Sequence, residues 1–284
     1  MELSQQTADL YVPDGADLER ALSRTTHLGI AAHQDDLEIM AADGILACSG
    51  RADRWFSGVV VTDGAGSARA GRYRDYTDAQ MREVRRQEQR KAAGIGGYSA
   101  VIQLDLPSAV AKDPADSRAV QDLVEILRAA RPEVVYTHNL ADKHDTHVAV
   151  ALRAIAAVRR LPAADRPARL YGCEVWRDLD WVTDREKVVF DLSADEALRV
   201  ALVGVFDSQI AGGKRYDLAT EGRRRANATY AESHGTDQAT ACSYALDLTP
   251  LVLDDSIDPA VFVRGAIDRF REDVDDRIAR LRRP

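Results

Sequence analysis

The sequence predicts an α/β protein: a Rossmann-like, mostly parallel sheet flanked by helices, followed by a helical C-terminal part. Three observations predict it. Short apolar runs alternate with helix-period segments through about residue 160. Two of those runs end in clusters of His and Asp, and ligands of open α/β sheets bind at carboxyl strand ends. From Ser193 onward helix-period segments dominate. No linker or repeat divides the chain, so 1–284 is read as one domain, with a sheet core over 27–192 and a mostly helical remainder over 193–284.

Residues 1–26 form a polar lead-in with a short helix over Asp17–Ser23. The first strand is Leu28–Ala32, apolar throughout, as a strand covered on both faces must be. It breaks into His33-Gln34-Asp35-Asp36. Leu37–Cys48 follows as a helix with Ile39, Met40, Ile45 and Leu46 as its apolar positions. Trp55–Thr62 is the second strand. It runs into a loop whose Gly64 and Gly66 allow sharp turns. A G-x-G-x-x-G phosphate cradle fails there because Arg69 holds the third glycine position, so the loop reads as a substrate loop.

Asp78–Ala93 is a charged helix stopped by Gly94-Ile95-Gly96-Gly97. Tyr98–Leu104 is the third strand. A helix over Asp116–Ala130 carries Val120, Leu123, Val124 and Leu127 on one face. Pro132 precedes a fourth strand, Glu133–Thr137, which opens into a second polar cluster, HNLADKHDTH, residues 138–147. A helix over Val148–Arg160 stops at Pro162. Arg169–Trp176 and Lys187–Asp191 read as further strands, and helices follow over about 193–210, 219–231 and 259–281.

Composition narrows the partners. The formal net charge of −8 argues against a nucleic-acid or anionic-membrane partner. Cys48, Cys173 and Cys242 are far apart and form no C-x-x-C pair, which fits neither a disulfide framework nor a structural zinc site. A reducing cytoplasm is the expected location. The first twenty residues have neither a basic nor an apolar region, and no run reaches 18 apolar residues. Neither a signal peptide nor a membrane span is expected.

In a parallel sheet the two polar clusters lie on one edge. His33 and Asp36 from the first and His144 or His147 from the second can then converge. Two histidines and one aspartate with an open position are the ligand set of a hydrolytic zinc site, although iron, cobalt and manganese also suit it. Asp35, between the two ligands of the first turn, is left free as a base. Any one of these residues alone would be unremarkable. Four of the six histidines, His33, His138, His144 and His147, lie in these two stretches, which weakens that bland reading. Arg223-Arg224-Arg225 reads as a solvated helix face or subunit contact before an anion site. Trp176, Trp181 and Tyr171 read as packing before sugar stacking. The polar stretch 214–235, ending near His234, is a candidate lid.

AHQDDLE, residues 32–38, resembles the A-H-P-D-D-x-E motif of the PIG-L/LmbE-like N-acetylglucosaminyl deacetylases. That family includes the deacetylases of mycothiol, bacillithiol and glycosylphosphatidylinositol synthesis. VVVTDGAGS (59–67), Arg85-Arg86-Gln87-Glu88 with Ala92-Ala93, RPEVVYTH…HDTH, VFDSQ (205–209) and Tyr230-Ala231-Glu232 resemble further family segments in the same order, over roughly residues 27–235. The resemblance implies zinc held by His33, Asp36 and His147, with Asp35 as general base. It implies that His144, protonated, stabilises the oxyanion and that Arg85 reaches substrate hydroxyls. It implies a zinc-dependent deacetylase acting on a small N-acetylated sugar, and leaves a homo-oligomer open. Three departures stand out. Gln34 replaces the motif's proline. Thr146 replaces the acid before the last histidine, leaving Asp142 or Asp145 to orient His144. Phe206-Asp207 stands where His-Arg is common. Two other readings remain: a non-catalytic sugar- or nucleotide-binding α/β protein, and a deacylase of a non-sugar N-acyl amine.

Overall fold

The computed structural model describes residues 1–282. The elements run β1 (Asp9–Tyr11), α1 (Leu18–Ser23), β2 (His27–Ala31), α2 (Asp36–Met40), α3 (Ala42–Cys48), β3 (Phe56–Thr62), α4 (Asp78–Gly96) and β4 (Ala100–Leu106). They continue with α5 (Ser108–Lys112), α6 (Arg118–Ala130), β5 (Val134–His138), α7 (Asp145–Arg159), β6 (Arg169–Cys173), β7 (Lys187–Asp191), α8 (Glu196–Gly204) and α9 (Asp207–Ile210). α10 (Tyr216–Tyr230), β8 (Cys242–Asp247), α11 (Pro250–Leu253) and α12 (Pro259–Leu281) complete the chain.

All eight strands form one sheet in the order β1-β4-β3-β2-β5-β6-β8-β7. The five central strands, β4 to β6 in that order, are parallel. β1 at one edge and β8 and β7 at the other are antiparallel. The expected mostly parallel α/β sheet is therefore present, with antiparallel edges. From β2 the chain steps outward through β3 and β4, then returns to start β5 on the other side of β2. The carboxyl ends of β2 and β5 thus flank the point where the winding reverses, which leaves a crevice between them.

Several boundaries differ from the sequence reading for identifiable reasons. The expected helix 37–48 is broken at Ala41 (φ −107°, ψ 22°) into α2 and α3. α4 runs through Gly94 and ends only at Gly97, in the left-handed conformation. β5 includes His138, which is therefore a buried strand residue and not part of the loop. α7 starts at Asp145 with His144 as its N-cap, so polar residues form its first turn where an apolar period gave no signal. β1 and β8 escaped notice: one is three residues long, and the other lies inside the helix-rich C-terminal part.

Side chains alternate across the sheet into two cores. Leu28, Ile30, Val59, Val61 and Leu104 pack in one, and Ala31, Val60, Val101 and Tyr136 in the other. α2 is keyed into the second core by Leu37. Gly29 and Gly58 are paired neighbours on β2 and β3. A Cβ at either would lie 2.5 Å from a Leu37 methyl. The missing side chains make the socket for Leu37, and Leu37 seats the turn that carries Asp35 and Asp36. Leu37→Ala should cost about 2–5 kcal/mol, and Gly58→Val about 1–3 kcal/mol through overpacking. Denaturant unfolding of both variants checks this, and a Gly58→Val protein as stable as wild type would refute the socket.

Candidate metal centre and substrate cavity

The turn after β2 is locked by Asp36. Its Oδ2 accepts the His33 backbone N–H at 2.8 Å. That contact closes the His33–Asp36 turn and points His33 and Asp36 the same way. Asp35 lies between them at φ 95°, a conformation that a non-glycine residue adopts only under strain.

β5 and the start of α7 supply the other half. His33 Nδ1, Asp36 Oδ2 and His147 Nε2 stand 3.2, 3.2 and 3.3 Å apart. A tetrahedral zinc ion with bonds of about 2.0–2.1 Å has ligand atoms ~3.3 Å apart. The three donors therefore fit one face of such a tetrahedron and leave its fourth position open. On the other side of the His147 ring, Nδ1 faces Asp142 Oδ2 at 3.4 Å. Asp142 is itself held by the backbone N–H groups of His144 (3.1 Å) and Trp176 (3.2 Å). A carboxylate behind a ligating histidine fixes its tautomer and leaves the facing nitrogen with a lone pair.

Electrostatics agree. Burial drives His33 down to about 4. Burial would raise Asp36, but His147 and His138 outweigh it and hold the carboxyl well below its usual range. Burial would lower His147, but Asp36 and Asp142 raise it to about 9, so an incoming cation displaces a proton from this ring. His138 packs flat on His147, with ring centres 3.9 Å apart, and its Nε2 accepts the Ala32 N–H at 2.9 Å. It is the supporting histidine that the sequence reading noted only as a neighbour.

Asp35 is 5 % exposed, and burial raises its carboxyl well above the usual range against the pull of Arg85. Arg85 Nη2 lies 3.5 Å from Asp35 Oδ2, and the same guanidinium donates to the Gln34 carbonyl and the Ser67 hydroxyl. Arg85 thus ties Asp35 to the 64–67 loop, with only its buried Nε left without a partner among the described residues. Gln34 also differs from expectation. Its side chain is buried and donates to Gln103 Oε1 and the Thr62 carbonyl, pinning the metal turn to β3 and β4. His144 Nδ1 accepts the Thr146 N–H at 3.3 Å. Burial lowers its pKa. An Nδ1 that accepts this hydrogen bond leaves Nε2 as the donor atom of the ring. Asp142 turns to His147 and not to the His144 ring.

These groups open onto a cavity of about 520 Å³. His33, Asp35, Asp36, Arg85 and His144 line it. Its lining also includes Glu174 and Ser243, whose Oε2 and Oγ atoms are buried without partners among the described residues. Trp176 and Tyr216 also line it, meeting edge to face with centroids 6.0 Å apart. Trp181 and Tyr171 pack against the two cores instead. The three arginines separate: Arg223 reaches the carbonyls of Val175 and Trp176, Arg224 is buried on Glu221, and Arg225 makes a surface pair with Glu196. The candidate lid is mainly α10, which forms a wall through Tyr216, Thr220 and Arg223. The sequence reading missed Glu174 and Ser243, because a lone carboxylate and hydroxyl near strand ends carry no spacing signal. Among the described residues, no helix is long and apolar enough to cross a membrane.

Residues 28–158, from β2 through α7 and so including both polar clusters, match the family model described as PIG-L, GlcNAc-PI de-N-acetylase. No curated relative matches the sequence. Among solved structures, N,N'-diacetylchitobiose deacetylase from Pyrococcus horikoshii is 16% identical with a TM-score of 0.63, covering 81% of this chain and 86% of its own. GalB, the 4-carboxy-2-hydroxymuconate hydratase from Pseudomonas putida, is 20% identical with a TM-score of 0.61, covering 79% and 96%. The conserved protein TT1542 from Thermus thermophilus is 21% identical with a TM-score of 0.60, covering 82% and 99%. These likenesses are of fold.

The carboxylate behind His147 yields a direct test. Asp142→Asn should weaken zinc binding by about 10–100-fold while the protein stays folded. Competition against a chromophoric chelator measures it. Unchanged affinity would remove Asp142 from the metal's support.

Proposed function

We propose, from the match of residues 28–158 to the PIG-L family model, a metal-dependent hydrolase that removes the acetyl group from an N-acetylated amino sugar or glycoconjugate. One observation carries the reading: three donor atoms 3.2–3.3 Å apart, with a buried free carboxylate beside them, at the mouth of a polar cavity. The base also counts against a purely binding role, since Asp35 is held in a strained conformation that simple ligand retention does not require.

His33, Asp36 and His147 would hold the ion, zinc or another divalent metal such as iron. When bound, such an ion polarises an acyl carbonyl and lowers the pKa of water to about 7. Asp35 takes the proton from the attacking water and delivers it to the departing nitrogen, so amide and water become acetate and amine. Its raised proton affinity suits both halves of that transfer. His144 Nε2–H points its donor function at the oxygen on which charge develops. Arg85 positions Asp35 and keeps Nε for a substrate oxygen. Glu174 Oε2 and Ser243 Oγ, buried without partners, are suited to hydroxyl groups of the substrate. A hydroxyl-rich substrate satisfies these atoms better than a plain acylated amine does.

The experiment is acetate release from N-acetylglucosamine and N,N'-diacetylchitobiose, before and after chelation, with metal content measured in parallel. No binding of zinc, or no metal-dependent acetate release from any N-acetylated sugar tried, would sink the proposal. Asp35→Asn should retain the metal and lose activity by about 10²–10⁴-fold. His144→Ala should also retain it and lose about 10²–10³-fold. Metal loss in Asp35→Asn would make that residue a ligand. Glu174→Gln should raise KM for the glycoside substrate and leave kcat nearly unchanged. An unchanged KM would remove Glu174 from substrate binding.

A further inference from the structure

The last helix leaves the body of the protein. α12 is anchored only near its start, where Val263 and Ala266 are buried and Arg269 donates to Glu186 at 2.7 Å. From Arg271 to Arg282 every residue is exposed. At 1.5 Å per residue that is roughly 18 Å of helix standing in water. A segment of that length is marginal alone and gains from cover.

Its sequence is not that of a solvated helix. Ile267, Phe270, Val274, Ile278 and Leu281 form a single apolar stripe along it. Ile267 is 45 % exposed, Ile278 49 % and Leu281 74 %. The steps along the stripe are 3, 4, 4 and 3 residues. This order reads the same in both directions from Val274.

We propose that α12 is a self-association helix, pairing antiparallel with α12 of a second copy about a two-fold axis at Val274. Such an interface is self-complementary. Ile267 meets a second Leu281, Phe270 meets a second Ile278, and the two Val274 side chains meet on the axis. The flanks match as well. Arg271 and Asp275 lie on one side of the stripe, 3.6 Å apart, and Asp273 and Arg277 on the other, 3.0 Å apart. The axis sets like flank against like flank. Along each flank the charges then run Arg, Asp, Asp, Arg from alternate copies, with each arginine about 3 Å of helix rise from an aspartate of the other copy. The antiparallel arrangement places the two bodies at opposite ends of the seam. An anionic lipid surface suits the stripe poorly. Over 267–281 the five acids Asp268, Glu272, Asp273, Asp275 and Asp276 exceed the four arginines Arg269, Arg271, Arg277 and Arg280, so the helix is not basic.

No residue of α12 lines the cavity, so the proposal stands apart from the hydrolase reading. Sedimentation velocity of the full chain, loaded from about 1 to about 100 µM, should show a monomer–dimer equilibrium. Val274→Glu sets two like charges on the axis and should raise the dissociation constant by at least about tenfold, with unchanged far-ultraviolet circular dichroism. Asp273→Arg should weaken the dimer, and adding Arg277→Asp should restore it. A monomer at every concentration, or a dimer indifferent to Val274→Glu, would overturn the proposal. Orientation is read by disulfide trapping, since the natural cysteines are buried. Ile267→Cys and Leu281→Cys proteins should cross-link with each other and not with themselves. Self-linked Ile267→Cys would show a parallel pair and overturn the antiparallel one.

Discussion

One carboxylate oxygen organises the centre. Asp36 Oδ2 lies 2.8 Å from the His33 backbone nitrogen, 3.2 Å from His33 Nδ1, 3.3 Å from His147 Nε2 and 3.5 Å from His138 Nε2. A buried carboxylate is costly unless a donor such as the His33 N–H, and a cation shared with the neighbouring nitrogens, compensate it. The rest of the architecture brings these groups together. β2 and β5 must be adjacent and parallel, α2 must start immediately after the turn, and α7 must start before His147. A shift of any of these elements would leave an ionised group buried without its partners.

Much of the support comes from the second half of the chain. Arg224 of α10 donates to the Glu38 and Ile39 carbonyls at the end of α2 and pairs with Glu221 at 2.8 Å. Cations are favoured at a helix C-terminus, and here the arginine is buried there. Ser208 of α9 donates to Glu88 of α4 through both its hydroxyl and its backbone N–H. Glu38 closes another link, accepting from Tyr98 and Gln89. Segments distant in sequence thus converge behind the metal turn, leaving the cavity face to groups not already saturated by protein.

The legible parts of the sequence were those with local chemistry. His33, Asp35 and Asp36 follow an apolar run, and a polar cluster after a buried strand has few structural explanations. His147 was readable as one of two candidates on the same strand edge. The hydrogen bond that His144 Nδ1 accepts from the Thr146 N–H was not, because it is a backbone contact made only once α7 begins at Asp145. Nor was the part of Gln34 at the motif's proline position, since it hydrogen-bonds across two strands that only the sheet order brings within reach. The divided fates of Arg223, Arg224 and Arg225 follow from about 100° of helical rotation per residue, which sends three successive side chains to the cavity, the interior and the surface.

The fold itself leaves the chemistry open. Structures of similar overall shape include both a deacetylase and a hydratase, as expected when activity resides in sites grafted onto a shared scaffold. A metal triad and a nearby base serve addition of water to more than one kind of bond. What narrows the choice is the arrangement around them. The leaving nitrogen of an amide must be protonated, and Asp35 is buried, raised in proton affinity and held against Arg85 where it can retain a proton between two transfers. Burial lowers the proton affinity of His144, and its Nε2 is free to donate to an oxyanion. Under the proposed function these features suit hydrolysis of an uncharged acyl group, and the unpartnered atoms of Glu174 and Ser243 offer hydrogen-bonding positions on the same cavity.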